Sequence, residues 1–222
     1  MAIYFIVAVI AYLLGSIPFG YILLRIFRGE DVRQHGSGNI GATNVARKVP
    51  GLGIATLLLD AAKGYAAVVL AAFVAHSQWN SSHPGMFLYY DPHPYKIWPA
   101  ALMAVAAMFA ILGHVFPIWL KLKGGKGVAT GVGTFLALAP KAVLIVLVIF
   151  AILVAAFRYI SLGSIIATAA FPLFAWLLYR NQTSPAVLTA TVAAAALIII
   201  KHHQNIRRLI AGTEHRFELK HR

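Results

Sequence analysis

The chain has no cysteine and only six acidic residues among 222. The first absence excludes disulfides, thiolate nucleophiles and cysteine metal sites, and it leaves the redox compartment open. The second leaves paired carboxylates of the glycosidase or two-metal kind unavailable, since only Glu30, Asp31, Asp60, Glu214 and Glu218 fall on or near the side that carries the polar loops. Charge of either sign is scarce, at 11% of residues, against about 25% in an ordinary soluble domain. What is present is apolar: 60% of residues are hydrophobic and the mean hydropathy is +0.79. Such a chain cannot cover itself with water-compatible surface, so the expectation is an all-α integral membrane protein built as one polytopic domain over residues 1–222.

Apolar runs predict seven transmembrane helices, at about 3–24, 52–75, 97–120, 128–139, 142–157, 162–179 and 186–200. The first has no basic leader and no evident cleavage site, so it reads as a retained helix, with Gly15, Pro18 and Gly20 marking a kink or close helix contacts. The formal net charge is +13. In a soluble protein that would point first to nucleic acid; in a membrane protein it reads as the cytoplasmic excess of Lys and Arg. Of the 19 basic residues, Lys63 falls inside a span and Lys96, Lys141 and Arg180 fall on one side, with all the rest on the other. That places the N-terminus outside and the C-terminus in the cytoplasm.

The rich side also carries three polar loops, at about 34–47, 121–130 and 202–216. The first combines Gly36, Gly38 and Gly41 with Ser37, Asn39, Thr43, Asn44 and Arg47. Glycines let backbone N–H groups gather around an anion, which points to a phosphate. The run also fits G-x-G-x-x-G, but a dinucleotide fold needs a preceding strand in a soluble βαβ unit, and neither is legible here. The second loop sets Lys126 among Gly124, Gly125 and Gly127, with a helix start expected at Val128 and Thr130 just inside it. It is not a P-loop pattern, and its lysines could simply snorkel; four glycines around 113–127 favour anion binding instead. In the third, a helix would place His202, Asn205 and Arg208 on one face, followed by Glu214. Asp60 and Lys63 share a face within the second span, as a structural ion pair or as a lysine aimed at the site. The aromatic 76–96 loop reads as interfacial, with Trp79, Tyr89, Tyr90, Tyr95 and Trp98 as anchors, and His76, His83 and His93 fit no compact metal motif.

Three runs carry a family resemblance: GSGNIGATNVAR at 36–47, GHVFP at 113–117 with GGKGVAT at 124–130, and HHQNIRRLIAGTE at 202–214. They resemble the motifs of the bacterial acyl-phosphate:glycerol-3-phosphate acyltransferases, the PlsY family, as do the segments around Asp60–Gly64 and Arg158–Leu162. The resemblance covers essentially the whole chain, though the loop at 76–96 is longer than expected. It implies acyl transfer from acyl phosphate to the sn-1 hydroxyl of glycerol 3-phosphate at the cytoplasmic face of a bacterial inner membrane, with no metal and no cofactor. Glycerol 3-phosphate, acyl phosphate and membrane lipid are the implied partners, with the enzyme that makes acyl phosphate a further candidate and nucleic acid absent. By motif position, Ser37, Arg47, Lys126, His202 and Asn205 would act in catalysis. Gly36, Gly38, Asn39, Gly41, Thr43, Asn44, Lys63, Gly124, Gly125, Gly127, Thr130, Ser161, Arg208 and Glu214 would shape the substrate site. Arg47 and Lys126 suit phosphate recognition. His202 is either a general base or a loop support, with phosphate oxygen the other proton acceptor. A transporter of a phosphorylated small molecule is the rival reading, and the absence of a visible inverted repeat counts against it.

Overall fold

Long apolar stretches in which the backbone must satisfy its own hydrogen bonds form helices, and the described residues of this computed structural model, 1–82, 98–181 and 184–217, contain no strand. The helices are α1 (Ala2–Ser16), α2 (Phe19–Arg28), α3 (Ala42–Lys48), α4 (Pro50–Ser82), α5 (Trp98–Val115), α6 (Val128–Leu138), α7 (Pro140–Phe157), α8 (Ile160–Tyr179), α9 (Pro185–Lys201) and α10 (His203–Ile210). Prolines open α4, α7 and α9, where the missing N–H costs nothing.

Five segments are long and apolar enough to cross a bilayer: Ala2–Arg28, Pro50–Gln78, Pro99–Leu120, Pro140–Phe157 and Ile160–Tyr179. The pair α9–α10, bent by 57°, makes a sixth if taken as one span. Helix α6 is apolar but has 11 residues, about 16 Å of helix against about 30 Å of hydrocarbon. The first span is not continuous. It breaks at Ile17 and Pro18, as the Gly15–Pro18–Gly20 pattern suggests, because proline cannot supply the next N–H. The loop at 34–47 is not all loop, since Ala42–Lys48 forms a short helix that runs into α4. Tyr89, Tyr90, Tyr95, His83 and His93 lie outside the described residues, as do the side chains of Trp79 and Trp98.

Small residues set the helix crossings. A Cβ at Gly15 would overlap the Ala110 carbonyl, and one at Gly113 would overlap that of Tyr12, so α1 and α5 touch backbone to backbone. The Tyr12 hydroxyl then donates to Phe116 O at 2.7 Å. Helices α4 and α6 meet in the same way, Gly133 against Ala61 and Gly64 against Thr130. The result places the ends of α6 and α9, the loop before α3 and the N-terminus of α8 at one end of the bundle.

Candidate active site

The first loop is folded around Asn44. Its amide donates to the carbonyls of Val32, His35 and Asn39 at 3.1, 3.0 and 2.9 Å, and its Oδ1 accepts from Ser37 N at 3.0 Å. Asn44 is buried and its hydrogen-bonding capacity is spent inside the loop. Asn39 Oδ1 accepts from Gly41 N at 2.8 Å, shaping the entry to α3. These two asparagines therefore build the loop. Gly36 and Gly38 have φ of 55° and 68°, a left-handed backbone that only glycine adopts without strain. A Cβ on Gly36 would also overlap Asn44 Oδ1, and the Arg47 guanidinium lies beside it. Of the candidate side chains in this loop, those of Ser37, Thr43 and Arg47 are left exposed.

The second loop rests on His114. Gly125 N donates to the His114 carbonyl at 3.0 Å. A Cβ on Gly125 would overlap the imidazole Nε2, and one on Gly124 the His114 carbonyl. Gly127, at φ 90°, opens α6. Between them Lys126 is half-buried. Burial pulls its ammonium down to about 8; Glu214 opposes the shift, and Arg208 and Arg47 add to it. That mutual influence places Arg47, Lys126, Arg208 and Glu214 within electrostatic reach of one another. Thr130 is fully buried, and its hydroxyl has no partner among the described residues. Lys63 is buried as well. Its Nζ donates to the Ile17 carbonyl at 2.7 Å and pairs with Asp60 at 2.6 Å, so it caps the α1–α2 break rather than reaching the glycine loops.

The third segment is organised by Glu214. Its Oε1 accepts from Ser161 Oγ at 2.7 Å and Asn205 Nδ2 at 2.6 Å, and its Oε2 accepts from Arg208 Nε at 2.6 Å. Desolvation alone would raise this carboxyl; hydrogen bonds from Ser161, Arg208 and Asn205 outweigh it and hold the group below the usual range. Glu214 thus ties α8, α10 and the C-terminal segment together. His202 terminates α9 and directs Nδ1 at the Ile198 carbonyl at 2.7 Å. A carbonyl only accepts, so Nδ1 carries the proton and Nε2 keeps its lone pair. The helical face is as expected, with His202 at the N-cap of α10 and Asn205 and Arg208 within it.

Three cations, Arg47, Lys126 and Arg208, stand against one occupied carboxylate. An apolar cleft of about 70 Å³ lies between α6, α7, α8 and α9, lined by Val128, Phe135, Phe171 and Ile198 among others, and its lining begins two residues after Lys126. The arrangement can hold a phosphate beside a lipid chain. Sequence reasoning missed His114 as a support for Gly125; the available signal was an imidazole at the end of a charge-free run, immediately before the glycine loop.

Comparison with known proteins agrees with the motif pattern. The profile of the glycerol-3-phosphate acyltransferase family matches residues 5–212. A glycerol-3-phosphate acyltransferase of Trichlorobacter lovleyi is 49% identical over 209 residues, 94% of each chain. One of Geobacter sulfurreducens is 45% identical over 214 residues, 96% of this chain and 97% of that one. Among solved structures, the glycerol 3-phosphate form of PlsY, an integral membrane glycerol 3-phosphate acyltransferase, superposes with a TM-score of 0.80 at 33% identity, covering 97% of this chain and 96% of that one. Its lysophosphatidic acid form gives 0.77 at 31%, covering 97% and 95%. The chain belongs to the PlsY family of glycerol-3-phosphate acyltransferases.

Proposed function

We propose that the protein transfers a fatty acyl group from acyl phosphate to the sn-1 hydroxyl of glycerol 3-phosphate, giving lysophosphatidic acid and phosphate. The observation that carries this reading is the grouping of Arg47, Lys126 and Arg208, with the lining of an apolar cleft starting at Val128, two residues on from Lys126. The cations suit the phosphates of donor and acceptor, and the cleft suits the acyl chain. The similarity to PlsY structures in glycerol 3-phosphate and lysophosphatidic acid forms supports the substrate and product.

In the step itself the sn-1 oxygen attacks the acyl carbon, a new C–O bond forms, and the bond from acyl carbon to phosphate oxygen breaks. An acyl phosphate is already activated, so no protein nucleophile is required. Arg47 binds phosphate through its fork and Lys126 as a point charge. The exposed Ser37 and Thr43 hydroxyls donate toward substrate oxygens, where one good donor to a developing oxyanion is worth about 3–4 kcal/mol. The hydroxyl proton passes to His202 Nε2 or to a phosphate oxygen. Asn205 and Ser161 act through Glu214, keeping Arg208 and the C-terminal segment in place.

The topology proposed with this chemistry has seven spans, counting the short α6, with the N-terminus outside and the site facing the cytoplasm of a bacterial inner membrane. The enzyme that makes acyl phosphate is the proposed partner. The deciding experiment incubates purified protein in lipid with glycerol 3-phosphate and either palmitoyl phosphate or palmitoyl-CoA. Lysophosphatidic acid from the acyl phosphate alone, lost in Lys126→Ala, is the expected result. Product from the thioester alone would reject the donor, and no product from either would reject the reading.

A further inference from the structure

Three buried ionisable side chains take no part in the chemistry just described: Asp60, Lys63 and His114. They form one cluster. Lys63 Nζ is 2.6 Å from Asp60 Oδ1 and donates to Ile17 O. His114 Nδ1 faces the same Asp60 oxygen at 3.5 Å, an electrostatic contact longer than a good hydrogen bond, and neither atom has a hydrogen-bond partner among the described residues. The opposite edge of the ring, Nε2, presses on Gly125 so closely that a Cβ there would overlap it. Gly125 N also donates to the His114 carbonyl, and the next residue is Lys126.

We propose that His114 is a positioning residue: Asp60, anchored by Lys63, fixes its imidazole, and the imidazole fixes the Gly124–Gly127 turn that aims Lys126 at substrate phosphate. A purely structural ion cluster would join α4 to α5 and stop there. This ring instead abuts the backbone of the functional loop, at the residue before the lysine. Burying ions rarely stabilises a fold beyond what apolar packing would give, which suits a cluster retained for geometry. The glycine at 125 follows from the same contact, since any side chain would displace the ring or the turn. The proposal rests on the role given to Lys126 in the acyl-transfer reading.

The test is a double-mutant cycle on the full chain in lipid nanodiscs, with wild type, His114→Ala, Gly125→Ala and the double variant, together with Asp60→Asn. Two quantities are read: kcat and KM with palmitoyl phosphate and glycerol 3-phosphate, and the pH midpoint of Lys126 acetylation by acetic anhydride, followed by mass spectrometry. In wild type the midpoint should fall at about 8. Each single variant should raise KM about 10- to 100-fold with a smaller change in kcat, and should move the midpoint up toward an ordinary lysine. Once His114 is Ala, adding Gly125→Ala should cost less than about twofold more. Additive losses, or an unmoved midpoint beneath a lowered Tm, would overturn the proposal. If His114→Ala does not fold, Gly125→Ala and Asp60→Asn carry the same two readouts. Absent turnover in wild type with a coupled labelling cycle would reject the acyl-transfer reading and leave the positioning role standing.

Discussion

Lys126 is a charge that burial has made conditional. With its ammonium pulled down to about 8, it binds phosphate below that pH and loses its charge above it, so kcat/KM should fall as pH rises through 8. Stability has the opposite sign. Between about 8 and the ordinary lysine range the folded protein holds fewer protons than the unfolded chain, so unfolding free energy should increase with pH across that window. A pH–rate profile set beside denaturation at matched pH checks both slopes. Lys126→Ala should lower kcat/KM by about 10²–10³-fold, the usual loss for one electrostatic donor in a shielded site. At this scale the sequence nominates residues by type but does not show what they touch. Ser37, Arg47 and Lys126 are nominated because small polar and cationic side chains among glycines suit an anion, and the variants above test them. Asn44 fits the same pattern, and Glu214 is named for the site by motif position, yet both are consumed by protein partners. Composition cannot distinguish an amide that binds a ligand from one that binds its own loop. Of the two readings of Lys63, the lysine aimed at the site gives way to the ion pair with Asp60, and its Nζ also reaches Ile17 O, a carbonyl outside the helical hydrogen-bond ladder only because the helix breaks there.

The motif loops are elements in their own right, each with one residue at its centre. Gly36→Ala would force a Cβ into Asn44 Oδ1 at a φ of 55°, so activity should drop at least about tenfold with helical content by circular dichroism unchanged. Glu214→Gln would remove the charge from three hydrogen bonds and leave a mismatched donor, a loss of about 1–3 kcal/mol. The expected signature is a C-terminal segment that becomes protease-sensitive after Ile210 while the bundle stays resistant. The helices follow the hydropathy runs, most ends within a few residues, but α4 continues to Ser82, the first run is broken at Pro18, and five or six segments rather than seven are long enough to cross; Pro140 and Pro185 mark helix starts. Helix α3 was not legible, because Thr43 and Asn44 are weak helix formers and its start depends on the Asn39 turn. Nor does an apolar run report whether it crosses fully, which is why α6 looked like an ordinary short span.

For the molecule as a whole the testable claim is its orientation. The natural absence of cysteine makes single-cysteine labelling clean. In intact cells a membrane-impermeant maleimide should modify Lys141→Cys and spare Lys123→Cys, with the pattern reversed in inverted vesicles. The opposite pattern would turn the proposed topology over. Charge asymmetry supports the orientation, since the glycine loops and the basic side coincide. The backbone contacts between α1 and α5 bear on biogenesis. Gly15 packs on Ala110 and Tyr12 donates to Phe116. Ala110 and Phe116 are both made long after the first helix. The face of the N-terminal segment that packs on α5 must therefore wait in the bilayer with lipid against it until residue 116 is synthesised, so this contact forms only after about half of the chain has been made.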